Sequence, residues 1–131
     1  MKQGYRIPKR SANGQAHAAE LSKWYKKQYD DSDKLCEECT LIAQGHGVIN
    51  ERILEPYDCT YVSHILSRGA FPELALHPKN KNILCPQHHR EWETGDYEKM
   101  KIYPGNLLVI DELQQFIVNK KTEGVFVRSK K

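Results

Sequence analysis

Cys36-Glu37-Glu38-Cys39 and Cys85-Pro86-Gln87-His88 are two short turns with the same two-residue spacer, and their pairing decides the fold. Zinc takes four soft or borderline donors at tetrahedral corners, and each such turn sets two donors on one side of the chain. Cys36, Cys39, Cys85 and His88 are therefore the expected ligands of one structural zinc ion. With all four positions filled by protein, that ion should hold structure and do no chemistry. Two competitors remain. Cys59 lies in an apolar run where a buried thiol is the expectation, and His89 stands directly beside His88.

The long span between the turns implies a functional excursion between two halves of one staple. A chain of 131 residues with 28% charged side chains and a mean hydropathy of −0.72 suits one domain with a small core. A structural metal is a common supplement to such a core. No apolar run approaches a membrane span and no leader precedes the chain, so we expect an intracellular, cytoplasmic protein without membrane contact. In that compartment a CxxC reads as a metal site in preference to a disulfide. The net charge is only +3, but it is uneven. Lys2, Arg6, Lys9, Arg10, Lys23, Lys26 and Lys27 face the single acid Glu20 over the first 29 residues, and Lys120, Lys121, Arg128, Lys130 and Lys131 crowd the end. Basic ends around a more acidic middle suit a polyanionic partner.

Apolar spacing predicts an amphipathic helix from about Ala16 to Tyr29, ended by Asp30-Asp31-Ser32-Asp33. The knuckle at Leu35 should run into a loop around His46. Tyr57 to Leu66 reads as a strand, Gly69 to Asn80 as an irregular loop, and Ile83-Leu84 as a second strand. A helix fits after Pro86 through Trp92, stopped by Gly95. A last helix is expected from Asn106, a cap candidate, to about Asn119, docking Leu107, Ile110, Leu113 and Ile117, although Leu107 to Ile110 also suits a strand. The divisions are 1–34, a basic arm and helix; 35–95, the zinc-stapled core; and 96–131, a helix and basic tail.

Within the core, His64 closes the first expected strand, Asn80 stands five residues before Cys85, and His89 follows the second knuckle. This order resembles the HNH endonuclease family. The run His64-Ile65-Leu66-Ser67-Arg68-Gly69 is also similar to the His-x-x-Ser-Arg-Gly of phage recombination nucleases of the NinG type. The likeness covers Cys36 to Glu93. It implies an α+β fold with a treble-clef-like ββα-metal core and flanking helices. It also implies DNA hydrolysis, with His64 as general base, Asn80 holding loop and base in register, and His89 on a catalytic Mg²⁺ or Mn²⁺. Asn82 is the rival to Asn80. Glu93, one helical turn after His89, is a candidate second metal ligand, as in colicin-like relatives. Ser63 stands where many family members carry an aspartate; a hydroxyl there would be a poor ligand and would weaken the metal site.

Arg68 and Arg90 are candidate phosphate contacts, and Lys9, Arg10, Lys26 and Lys27 would track the DNA backbone without reading sequence. His17, His46 and His77 are expected at the surface. The resemblance makes branched or flapped recombination intermediates candidate substrates in a bacterial or phage-infected host. The alternative is a non-catalytic zinc module that binds DNA. An RNA-directed protein is disfavoured by the few aromatics near the basic stretches.

Overall fold

The computed structural model describes residues 12–129, with side chains from residue 17 to residue 120. Lys9, Arg10 and the rest of the arm before residue 12 lie outside the described residues, as do the basic side chains of the tail beyond residue 120. The elements run α1 (Ala12–Asp30), α2 (Glu37–Gly45), β1 (Val62–Ser63), β2 (Asn82–Ile83), α3 (Pro86–Thr94) and α4 (Tyr103–Ser129), with single 3₁₀ turns at Cys59–Tyr61, Pro72–Leu74 and Tyr97–Lys99. This is a mixed α and β architecture, helical for the most part, with one small antiparallel sheet pairing Val62 with Ile83 and Ser63 with Asn82. No helix among the described residues is long and apolar enough to cross a membrane.

The apolar spacing of α1 does what its period requires: Leu21, Trp24, Gln28 and Tyr29 form one buried stripe. The Tyr29 hydroxyl then donates to the Leu54 carbonyl at 2.7 Å and ties down the segment after α2. α2 fills the stretch between the knuckle and the expected loop, which begins at its C-cap His46. Its N-cap is Cys36, whose sulfur accepts the Cys39 amide, and Glu37 and Glu38 put negative charge on its first turn.

The expected strand from Tyr57 to Leu66 shrinks to two residues for two reasons. Ahead of it, the Asp58 carboxylate accepts both the amide and the hydroxyl of Thr60, at 2.9 and 2.8 Å, and holds a 3₁₀ turn in place of a ladder. This turn also overturns the burial expected of Cys59, whose thiol is exposed. Beyond the strand, the Asn80 amide takes over. It accepts from the Leu66 N–H at 2.8 Å and donates to the Leu66 carbonyl at 3.0 Å, as the backbone of a neighbouring strand would.

α3 begins at Pro86, a favoured first-turn proline, and stops where expected. A Cβ at Gly95 would stand 3.0 Å from the Glu91 carbonyl oxygen, a tight approach that glycine avoids. α4 begins earlier than Asn106. That residue lies inside the helix, buried, and exchanges amide hydrogen bonds with Asn82 at 2.8 and 3.1 Å. Leu113 and Ile117 dock as expected, under the loop through Leu74, while Leu107 is exposed.

The entry to α4 is secured from a distance. The buried Glu38 carboxylate accepts the backbone N–H groups of Lys101 and Ile102 at 2.8 and 2.9 Å. Its neighbour Glu37 accepts the Ile83 N–H at 2.7 Å and the Asn82 amide at 2.8 Å. The two spacer residues of the first knuckle thus reach β2 and the start of α4. Glu38→Ala leaves two backbone donors without their partners and should destabilise the fold by about 2–4 kcal/mol. Urea unfolding followed by circular dichroism measures it; a loss below about 0.5 kcal/mol would show that this carboxylate does not anchor α4.

Candidate functional site

Cys36 and Cys39 at the start of α2 and Cys85 and His88 at the start of α3 meet in the interior, their donor atoms all within 4.8 Å of one another. The His88 Nδ1 stands 3.5 Å from the sulfurs of Cys36 and Cys39 and 3.3 Å from that of Cys85. Tetrahedral zinc with ordinary Zn–S and Zn–N bonds puts sulfur and nitrogen about 3.5 Å apart, so the donor set fits the ion. The chemistry agrees. Burial pushes the Cys36 thiol up to about 12 and raises that of Cys39, so these sulfurs need a cation to become thiolates. The four expected residues, and neither Cys59 nor His89, make up this site able to hold zinc.

A second constellation forms on the other side of α3. A cleft of about 630 Å³ is lined by His64 at the end of β1, by Arg68, and by His89 and Glu93 on α3, with Tyr25 of α1 and Thr60 at its edges. The carbonyl of Ala75 can only accept, so His64 donates to it through Nε2, at 2.8 Å, and Nδ1 keeps the free lone pair. The imidazole stacks on Trp24, centroids 4.9 Å apart and planes 12° from parallel, and meets the Tyr25 ring edge-on. Burial lowers the His64 pKa, against a smaller opposing effect of the bond to Ala75.

His89 is oriented in the same way. Its Nδ1 donates to the Thr60 carbonyl, which leaves the Nε2 lone pair 3.2 Å from a Glu93 carboxylate oxygen. That spacing brings the two groups within reach of one shared ligand. Both residues line the cleft, and a neutral imidazole with a carboxylate one turn away is a donor pair that suits a divalent ion. The set is small, with one anionic member.

The structure gathers some of the expected residues here and leaves others out. His64, His89, Glu93 and Arg68 share the cleft. Asn80 is fully buried behind it, and its amide, bonded to Leu66 and to the Leu74 carbonyl, fixes the loop that carries Arg68. Asn82, its rival, faces α2 and α4 instead. Ser63 is corrected outright as a metal-side residue: strand alternation sends Val62 and His64 to the cleft and Ser63 to the interior, fully buried. Arg90 is exposed on α3 and does not line the cleft. Lys26 and Lys27 are engaged with Asp30 and Asp31, each at 2.8 Å. His17 and His46 are exposed as expected, whereas His77 is half-buried against Phe116.

Trp24 and Tyr25 were legible only as core positions of a helix. Nothing in a single sequence tells which strand residue such aromatics will meet. Comparison of the chain with protein-family models, with curated proteins and with solved structures returned no match.

The donor geometry predicts one zinc per chain on native mass spectrometry. Cys36→Ala should lose both the ion and cooperative unfolding, because metal affinity here is also folding energy. A folded wild-type chain without zinc would exclude this role for the cluster.

Proposed function

We propose that the chain is a metal-dependent endonuclease acting on DNA, with β1, β2 and α3 as its HNH-type ββα-metal element and the Cys/His cluster as a structural zinc site. The convergence of His64, Arg68, His89 and Glu93 on one cleft carries this proposal. Phosphodiester hydrolysis needs an activated water, positive charge on the phosphate and a group that offsets charge on the leaving oxygen. His64, with Nε2 committed to Ala75, has Nδ1 free to take a proton from water. Arg68 is positioned to hold a phosphate oxygen. His89 and Glu93 are the residues that would hold Mg²⁺ or Mn²⁺, which when bound would offset charge on the phosphate and the departing oxygen. A phage or mobile-element origin and branched or flapped DNA substrates rest on the sequence resemblance.

The alternative, a zinc-stabilised module that binds DNA without cutting it, draws support from the same cleft. Ser63 offers no ligand there, and two donors make a weak metal site. Cleavage of supercoiled plasmid in Mg²⁺, Mn²⁺ or EDTA separates the two. The endonuclease should nick in metal alone, and His64→Ala should lower the rate by on the order of 10²–10⁴. Binding without nicking under every metal would establish the alternative.

Burial also sets a pH signature. A histidine base works only when neutral, hence above its pKa, and the His64 pKa is lowered from the ordinary 6.5. The acid limb of the rate profile should therefore lie below pH 6.5. Trp24→Ala, which uncovers the imidazole, should move that limb upward. An unmoved limb would assign it to another group.

A further inference from the structure

We infer that the cleft continues along α1 as a groove that binds the nucleic-acid strand flanking the scissile phosphate; this deepens the endonuclease proposal and rests on it. A second cavity, of about 430 Å³, adjoins the cleft and shares three lining residues with it, Tyr25, Cys59 and Arg68. Its remaining lining is His17, Ala18, Leu21 and Ser22 of α1. Positions 17, 18, 21, 22 and 25 recur at the helical period, so one face of α1 lines a path that ends at the two histidines.

The chemistry of that face suits one strand of a polyanion. Arg68 stands where the two cavities join, the exposed His17 at the far end, and no acidic side chain is among the described lining residues. Ala18 and Ser22 are small and leave the groove open, Ser22 offers a hydroxyl to phosphate oxygens, and Leu21 gives apolar contact. A cationic groove with an aromatic at its mouth is how single strands are commonly tracked. None of the α1 lysines lines either cavity, and Lys26 and Lys27 are paired with Asp30 and Asp31.

Ser22→Glu places a negative charge in the groove at an exposed helical position, and Leu108→Glu places the same charge at an exposed position of α4 that lines neither cavity. Steady-state cleavage of a single-stranded oligonucleotide is compared with that of bis(p-nitrophenyl) phosphate, a diester small enough to occupy the cleft alone. Ser22→Glu should raise KM for the oligonucleotide by about tenfold with kcat little changed, and leave the small diester unaffected. Leu108→Glu should change neither, and Ser22→Arg should lower the oligonucleotide KM. Equal behaviour of the two glutamate variants on the oligonucleotide overturns the groove. If wild type cleaves neither substrate, the endonuclease proposal falls instead. The groove is then judged by fluorescence anisotropy of the same oligonucleotide with the zinc-loaded protein and no added Mg²⁺ or Mn²⁺: weaker binding by Ser22→Glu alone supports it, and equal binding by both variants overturns it.

Discussion

Three sulfurs and one imidazole nitrogen, drawn together in the interior, join the starts of two helices that lie far apart in the chain. The sheet between them has only two residues in each strand and is too short to hold itself. Burial favours the neutral thiols of Cys36 and Cys39, so a cation gives these sulfurs their reason to converge. Glu37 and Glu38 extend the constraint outward, one to β2 and the other to the entry of α4. Knuckle, sheet and C-terminal helix are thereby parts of one arrangement, and a small core suffices because so much of the order comes from this centre.

A second layer of order comes from backbone carbonyls. Ala75 and Thr60 each accept one imidazole N–H, so both cleft rings are held in orientation, with His64 Nδ1 left free and His89 Nε2 turned to Glu93. Asn80 fixes the loop behind them through bonds to main-chain groups. Fixed backbone dipoles of this kind hold reactive groups in place without the entropy loss of long side chains.

The four residues of the candidate zinc site were legible because their spacing is local and their chemistry is narrow. The ends of α3 were legible for a like reason, since Pro86 and Gly95 act through their own backbone. Sequence reasoning failed where a side chain substituted for a backbone partner. The Asp58 cap removed the front of a strand that Val, Ile and Tyr content predicted. Asn106, a good cap by type, became a buried partner of Asn82 because Glu38 had taken over the entry to α4. Ser63 was placed by analogy of register, and one step of strand alternation put it on the other face. Of these contacts only those of Glu38 and Asn106 span more residues than a local pattern covers; the Asp58 cap reaches just two residues on.

His88 and His89 are adjacent, yet one faces the sulfurs and the other the cleft. Successive residues of a helix point about 100° apart, so α3 serves both sites only at one rotation about its axis. The helix is a spindle locked at a single angle, pinned by the knuckle on one side and by Thr60 on the other. A turn of one residue one way would bring His89 to the sulfurs and Arg90 to the cleft, and the other way His88 to the cleft and Gln87 to the sulfurs; either spoils both sites. The contacts that close the domain therefore also aim the cleft, and folding and aim are a single degree of freedom.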